Sequence, residues 1–388
     1  MKSITFVIPA RNNLEFLKLS YDSLKKLKGN HHILILDDAS SDGTSEWIES
    51  LDDKFLSTYK NEGPERIGIV GMFDKGIEMA PTDIIMAFHA DMVAAPDLDD
   101  QVLKHLKKGR VVSATRAEPP IHPDGSEKVL VDLGTEVEDF SYERFLNWLK
   151  NDYKPKHKKL TTLGIFAPWC MYKSDFLAVG GHDELFAPQS REDTDLFYRF
   201  ELNGYKLIQT WEGLVYHFTS RGSRFNKHSG GDTGVDSPEW KETNSKNERN
   251  FIRKWGTNVL LSEFLHPTIK PKYDIGIVCK YCPPSLLFDL EPWCSTIYTD
   301  CSKKQVEQYI EEQQPRTLFN LKDRIKNITD FKYHETSILI DSRLFNQEDY
   351  EIIQSMFDYI PTCENPITIR KSMVIFINDK KNFQGQNK

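Results

Sequence analysis

Short apolar runs alternate with amphipathic stretches over the first third of the chain. Residues 4–8, 33–36 and 84–88 are apolar runs of strand length, each followed by Pro, Asp or His. Between them, apolar residues recur at helical spacing from position 14 to position 27, and residues 69–79 form a second such stretch. The runs predict strands buried on both faces. Their alternation with helices predicts a parallel, doubly wound sheet.

The pattern changes beyond about residue 267, where a second set of alternating elements begins. Strands are predicted over residues 273–278, 295–298, 317–321, 336–340 and 373–377, with helices over 303–313 and 347–357. This set predicts a small α/β domain of its own. We therefore expect a catalytic domain over 1–266, divided into halves at 1–115 and 116–266, and an accessory domain over 267–388.

Polar side chains follow the predicted strands. His89 and Asp91 come after the third strand at alternate positions, so both side chains can point to the same side. Ligands of open α/β sheets bind outside the carboxyl ends of the strands, and a carboxylate beside an imidazole suits a divalent cation. Asp38 closes the second strand, and Arg66 in a later turn could contact a phosphate or nucleobase. The structural alternatives are a helix cap, a strand-end histidine and a solvated arginine.

Another polar cluster opens a predicted helix, whose apolar stripe starts at Leu196. Glu192 and Asp193 stand at its N-terminus, where the helix dipole favours an ionised carboxylate. An ionised carboxylate at a pocket mouth can accept a proton from an attacking hydroxyl. Helix capping is the structural alternative, although three acids within four residues exceed what a cap needs.

Composition narrows the class of protein. The 388 residues include 39% hydrophobic and 28% charged residues, which is typical of a globular protein. With 50 basic against 58 acidic residues the net charge is -8, so a nucleic-acid partner is not favoured. No apolar run approaches the roughly 20 residues that span a bilayer, and we expect a cytoplasmic protein. Six scattered cysteines favour reduced thiols over a zinc site, because only one C-x2-C pair is present.

Taken in order, the motifs of the first half resemble the nucleotide-sugar-binding half of family-2 glycosyltransferases with the GT-A fold. The matching segments are residues 9–12, 36–44, 61–63, 76–80 and 89–91. One departure is His89, which stands where the family usually has the first acid of Asp-x-Asp.

A later block strengthens the resemblance. Residues 180–186 resemble the family's Gly-Gly-Phe-Asp-Glu segment, with His182 replacing the aromatic residue, and residues 192–196 resemble its Glu-Asp-x-Asp-Leu helix start.

The resemblance implies a GT-A-like, Rossmann-type α/β fold with a mostly parallel sheet and a smaller C-terminal α/β domain. It implies metal-dependent, inverting transfer of a sugar from a nucleotide diphosphate to a hydroxyl acceptor that is a glycan, lipid-linked or protein-linked. The cation would be Mn²⁺ or Mg²⁺. A UDP-sugar is the preferred donor, with GDP- and dTDP-sugars as alternatives.

The implied roles fall into four groups. The general base is Asp193, with Glu192 beside it, and the metal ligands are Asp91 and His217. The nucleotide-binding residues are Pro9, Ala10, Arg11, Asn12, Asp38, Arg66, His89, Ala90 and Asp91. The donor and acceptor pocket comprises Trp169, Asp183, Glu184, Arg221 and Arg224.

Two other functions stay open. A nucleotidyltransferase that forms sugar nucleotides would need a glycine-rich phosphate loop after the first strand, and residues 9–12 contain no glycine. A non-catalytic nucleotide- or sugar-binding module is suggested by His89 in place of an acid.

Overall fold

The computed structural model describes residues 2–380 in two compact units. Unit 1 comprises residues 2–244 and 261–268, and unit 2 comprises residues 245–260 and 269–380. Residues 245–260 thus join the C-terminal unit, whereas the predicted boundary followed residue 266. The functional labels given to the two segments stay predictions.

Unit 1 alternates strands and helices along its first hundred residues. Its strands are β1 Ile4–Ala10, β2 His32–Asp38, β3 Leu56–Asn61, β4 Ile84–Ala87, β5 Met92–Ala94, β6 Arg110–Glu118, β7 Lys128–Leu130, β8 Thr161–Leu163, β9 Trp169–Tyr172 and β10 Lys206–His217. Its helices are α1 Leu14–Leu24, α2 Thr44–Glu49, α3 Gly68–Met79, α4 Leu98–His105, α5 Tyr142–Asn151, α6 Lys173–Ala178 and α7 Glu192–Leu202, and α8 Pro238–Trp255 continues into the residues of unit 2.

These ten strands form one sheet in the order β3-β2-β1-β4-β9-β6-β10-β5, with β7 beside β6 and β8 beside β10. The four strands β3, β2, β1 and β4 are mutually parallel, and antiparallel pairs begin at β9. Phe6, Leu34 and Ile85 are fully buried, as expected for strands covered on both faces. The predicted α/β class with a mostly parallel sheet is confirmed.

Two strand ends meet where the polar residues lie. Strand β4 ends at Ala87, and β5 pairs antiparallel with the end of β10, with His217 opposite Met92. The Phe218 amide donates to the Asp91 carbonyl at 3.0 Å. This pairing brings Asp91 and His217 together although they are far apart in the sequence.

Unit 2 contains a second α/β sheet. Its strands are β11 Ile275–Lys280, β12 Thr296–Thr299, β13 Ile325–Asn327, β14 Thr336–Asp341, β15 Ile367–Ile369 and β16 Met373–Ile377. Its own helices are α9 Pro284–Leu290, α10 Lys303–Gln313, α11 Leu321–Arg324, α12 Gln347–Gln354 and α13 Met356–Thr362. The order is β13-β12-β11-β14-β16-β15, and the first four strands are parallel.

Two predicted elements of this unit were wrong in detail. The strand expected over residues 317–321 is absent, because the Asn320 side chain accepts the Lys322 amide and starts the short helix α11. The helix expected over 347–357 is interrupted at Ser355, which separates α12 from α13.

Within residues 2–380, no helix is both long and apolar enough to cross a bilayer.

Candidate metal and transfer site

His89, Asp91 and His217 form a cluster at the carboxyl end of β4. One potential ligand atom from each lies within 4.8 Å of the others, and no other such group of His, Cys or acidic residues occurs in the described part of the chain. His217 Nε2 is 3.5 Å from Asp91 Oδ1, and the two imidazole rings lie 6.0 Å apart. Ala90 between the two strand-end residues is 3% exposed. Two imidazoles and a carboxylate are a fitting donor set for a divalent cation.

The charges of this cluster are set by burial and by mutual attraction. Burial alone would raise the pKa of Asp91, but the charge and hydrogen bond of His217 lower it to about 2. The carboxylate therefore stays ionised, and its Oδ2 also accepts the backbone N–H of Arg221 at 2.7 Å. Burial lowers the pKa of His89 to about 4, so this imidazole is neutral and can offer a lone pair.

His217 has a carboxylate on each side. Burial alone would lower its pKa, but Asp91 and Glu118 raise it to about 9. Its Nδ1 is 2.9 Å from Glu118 Oε1, which leaves Nε2 directed at Asp91. A ligating histidine is commonly oriented by a carboxylate on its other nitrogen. Metal binding at Nε2 would replace a proton there.

Glu118 is a site residue that the sequence analysis missed. It ends β6, is 2% exposed, and pairs with Arg116 at 3.2 Å and Lys128 at 3.0 Å as well as with His217. Its pKa is far below the usual range because these cations outweigh the effect of burial. Asp91 was predicted as a site residue because it is an acid after the carboxyl end of a strand. Glu118 is also an acid at the carboxyl end of a strand, so the same feature could have predicted it.

Asp38 is engaged by its own loop. Its carboxylate accepts the amides of Ile67 and Gly68 and the Asn61 side chain, each at 2.8 Å. These bonds fix the loop that carries Arg66. The nucleotide contact expected of Asp38 stays a prediction, and in this structure both of its carboxylate oxygens accept hydrogen bonds from protein donors. Arg66 itself pairs with Glu239 at 2.8 Å.

The segment after β1 lies at the same edge of the sheet. Pro9 and Ala10 are the last residues of β1, and Ala10 is 3% exposed. Asn12 has a positive φ of 49°, and its side chain accepts the Ser41 amide at 2.7 Å. A buried guanidinium nitrogen of Arg11, Nη1, has no hydrogen-bond partner within residues 2–380. Arg11 thus retains donors for a ligand.

At the start of α7, the protonation of Glu192 differs from the prediction. Burial, followed by the charge of Asp193, raises the pKa of Glu192 to about 8. The helix dipole was expected to keep this carboxylate ionised, and desolvation outweighs it. Glu192 Oε2 is buried with no hydrogen-bond partner in the described chain, whereas Asp193 accepts the Thr194 amide at 2.6 Å. Near neutral pH the pair therefore holds a proton on Glu192.

The segment before α7 approaches the metal cluster through aromatic contacts. The rings of His89 and Phe73 lie 6.1 Å apart, and Phe73 stacks on His182 at 6.1 Å. Pro188 packs on Gly68, the first residue of α3, so closely that a Cβ on Gly68 would lie 2.4 Å from the Pro188 Cβ. Since α3 begins at the carboxyl edge of the parallel strands, the chain leading into α7 passes the edge that carries Asp91.

The residues predicted for the donor and acceptor pocket differ in burial and in hydrogen bonding. Trp169 is 3% exposed and packs on Phe176 and Phe200 in the core, so its ring supports α7 and is not an open pocket wall. Asp183 accepts a backbone N–H at 2.9 Å at the start of the short 3-10 turn Glu184–Phe186, and Glu184 is exposed.

Arg221 and Arg224 were predicted to face the donor. The Arg221 guanidinium binds Thr233 at 2.6 Å and Glu136 at 3.1 Å, and Arg224 binds Asp236 at 2.8 Å. Both cations therefore hold their own loop in this conformation. Part of this loop, including Arg221 and Asn226, lines a cavity of about 240 Å³.

Comparison with known proteins gives one family match and several distant relatives. Residues 5–177 match the family model of Glycosyl transferase family 2. It is 24% identical over 212 residues to poly-beta-1,6-N-acetyl-D-glucosamine synthase of Staphylococcus aureus (strain COL), covering 53% of this chain and 48% of that protein. It is 21% identical over 231 residues to undecaprenyl-phosphate mannosyltransferase of Micrococcus luteus, covering 59% of this chain and 88% of that one. The chain thus spans about half the length of the staphylococcal relatives.

Two solved structures of glycosyltransferases align with part of this chain at low sequence identity. GalNAc-T7 with UDP, GalNAc and Mn²⁺ aligns over 66% of this chain and 51% of its own, with 12% identity and a TM-score of 0.45. Mannosyltransferase PcManGT from Pyrobaculum calidifontis, in complex with GDP-Man and Mn²⁺, aligns over 55% of this chain and 56% of its own, with 18% identity and a TM-score of 0.39.

Proposed function

We propose that unit 1 is a metal-dependent glycosyltransferase that moves a sugar from a nucleotide-diphosphate donor to a hydroxyl acceptor with inversion. The observation that carries the proposal is the cluster of the half-buried His89 with the buried Asp91 and His217 at the carboxyl end of β4, within and beside the family-2 region. The relatives named above as a polysaccharide synthase and a mannosyltransferase support sugar transfer as the reaction class.

The cluster would hold the cation through Asp91, His217 and His89. A cation there would stabilise the negative charge of the departing diphosphate. Two nitrogen donors beside one carboxylate favour Mn²⁺ over Mg²⁺, because Mg²⁺ prefers oxygen ligands. Arg11, whose buried Nη1 has no hydrogen-bond partner within residues 2–380, would bind a phosphate oxygen.

Asp193 is the proposed general base. An inverting displacement has one covalent step and needs one base, which removes the proton from the acceptor hydroxyl as its oxygen attacks the anomeric carbon. Glu192 keeps its own proton near neutral pH and is therefore not the proposed base. A UDP-sugar is the donor we favour, with a glycan, lipid-linked or protein-linked hydroxyl as acceptor.

A donor panel tests this function. The chain is incubated with UDP-, GDP- and dTDP-sugars, with and without Mn²⁺, and the products are separated. We expect one donor to yield free sugar and nucleoside diphosphate only when Mn²⁺ is present. Pyrophosphate exchange would indicate the nucleotidyltransferase instead, and binding without turnover would indicate the non-catalytic module.

A further inference from the structure

Unit 2 contains a cavity whose polar wall is cationic. The cavity measures about 110 Å³, and Arg253, Lys272 and Arg324 line it together with Tyr273 and Trp293. All of its lining residues belong to unit 2.

One carboxylate serves the two arginines of this wall. Glu291, which is fully buried, lies 2.6 Å from Arg253 Nη2 and 2.6 Å from Arg324 Nε. Arg249, which does not line the cavity, approaches the same carboxylate at 3.5 Å. The three cavity-lining cations thus have one acid between them, which leaves an excess of about two positive charges.

Lys272 contributes most to this excess. Its ammonium group donates to the backbone oxygens of Arg253 at 2.8 Å and Lys254 at 2.9 Å, which are neutral acceptors. Burial and the like charges of Arg324 and Lys254 lower its pKa to about 8. No acidic side chain pairs with Lys272 within residues 2–380. Capping of the C-terminus of α8 explains the two hydrogen bonds that Lys272 donates. It does not explain why Lys272 lies on the same cavity wall as Arg253 and Arg324.

Arg324 also has donors to spare. Its Nε binds Glu291, and its Nη2 binds the carbonyls of Glu291 and Cys294 at 2.9 and 2.6 Å. Its Nη1 has no hydrogen-bond acceptor in the described chain. Lys272, which has an uncompensated ammonium group, and Arg324, which has an unused guanidinium nitrogen, therefore line one cavity.

We propose that this cavity is a second ligand site, which binds a small molecule through a phosphate monoester group. A phosphate monoester carries about -1.5 to -2 charge, which matches the excess on the wall, and its oxygens suit guanidinium and ammonium donors. The rings of Tyr273 and Trp293 would contact the apolar part of the ligand. The proposal does not depend on the activity of unit 1.

The test uses the full chain and inorganic phosphate as the probe. EDTA is present so that no divalent cation recruits phosphate to the cluster around Asp91. Binding is followed by ³¹P NMR titration and by the rise of the unfolding temperature with phosphate. We expect saturable binding to the wild type and at least about tenfold weaker binding to Lys272→Gln, because one charge-assisted hydrogen bond is lost.

Lys270→Gln is the matched control. This cation lies two positions away, outside the cavity lining, and pairs with Asp358 at 2.8 Å, so its loss should leave phosphate affinity unchanged. Lys272→Arg, which keeps the charge, should retain binding. Absence of saturable binding to the wild type, or equal binding by Lys272→Gln, would overturn the proposal.

A second measurement avoids the question of whether Lys272→Gln folds. Wild-type protein is treated with an amine-modifying reagent, and modification at Lys272 and Lys270 is compared by mass spectrometry. Phosphate should slow the modification of Lys272 and leave that of Lys270 unchanged. Equal rates with and without phosphate would contradict the site.

Discussion

The two units share the same order of parallel strands, but their clusters of ionisable side chains lie at opposite edges of the sheet. Strands β3-β2-β1-β4 of unit 1 and β13-β12-β11-β14 of unit 2 are parallel in the same succession. In unit 1 the cluster of His89, Asp91 and His217, which is the proposed cation site, follows the strands. In unit 2, Lys272 and Arg324 precede β11 and β13, at the amino edge, and carry excess positive charge. A shared architecture therefore does not decide which edge binds a ligand.

The carboxyl edge of the unit 2 sheet explains part of this difference. There, Asp300 accepts the amides of Tyr281 and Cys282 at 2.6 and 2.9 Å, and Asp341 pairs with Arg343 at 2.6 Å. The acids at this edge are satisfied by neighbouring protein groups. In unit 1 the acid at the corresponding edge, Asp91, faces two imidazoles that can serve as metal ligands. Satisfied acids order loops, whereas an acid among other ligands can bind a metal.

The largest effect is expected for the proposed base. Asp193→Asn keeps the size of the side chain and removes the proton acceptor, so transfer should fall by about 10² to 10⁴-fold. Nucleotide affinity, measured by calorimetry with Mn²⁺, should be unchanged. Asp100→Asn, an exposed first-turn acid of α4, is the control and should transfer normally. Normal transfer by Asp193→Asn would exclude this residue as base.

A smaller effect concerns Glu192 and pH. Its pKa rises from 4.5 to about 8 on folding, so between these values Glu192 holds a proton in the folded chain that it lacks in the unfolded chain. The free energy of unfolding should therefore fall as pH rises through this window, by on the order of 2–4 kcal/mol from this group. Urea unfolding at pH 5 and pH 8 measures the fall, which should be smaller in Glu192→Gln. An equal fall in both proteins would show that Glu192 is not protonated on folding.

The carboxylate behind His217 should have a moderate effect. Glu118→Gln can still contact the imidazole but no longer attracts its positive charge, so Mn²⁺ affinity should fall by about 10- to 100-fold. Glu127→Gln is the matched control, because Glu127 pairs with Arg116 at 3.3 Å as Glu118 does but is not bonded to His217. Calorimetric titration with Mn²⁺ measures the affinity of both variants. Equal affinities would mean that Glu118 does not orient the ligand.

The smallest effect separates the two units. Ser302 forms a capping box with Gln305 at the start of α10 in unit 2. Ser302→Ala should lower stability by about 0.5–2 kcal/mol, measured by urea unfolding, while the Mn²⁺ affinity of unit 1 stays at the wild-type value. Lys303→Ala, an exposed neighbour, is the control for stability. A large change in Mn²⁺ affinity in Ser302→Ala would show that the stability of unit 2 is coupled to metal binding in unit 1.

Local patterns in the sequence predicted the elements that depend on local chemistry. The apolar run of residues 84–88 became β4 Ile84–Ala87, and the acid-rich start at Glu192 is the first turn of α7. Such elements follow from burial and capping, which involve near neighbours in sequence. The α/β class was predictable for the same reason.

Long-range partners were not predictable in this way. Glu118 and His217 meet because β6 lies beside β10, and nothing local to either residue indicates this pairing. Asp38 resembles a ligand residue in sequence, but the loop of Ile67 and Gly68 returns to use both of its oxygens. The roles proposed for the site residues stay predictions, and direct binding measurements test them best.

The central claim is that His89, Asp91 and His217 hold a divalent cation. Calorimetric titration of Mn²⁺ into the wild type and Asp91→Asn, with a nucleoside diphosphate present, tests it most directly. We predict one saturable Mn²⁺ site in the wild type and its loss in Asp91→Asn, with both proteins equally folded by circular dichroism. Equal Mn²⁺ affinity in the two proteins, or no binding to the wild type, would contradict the claim.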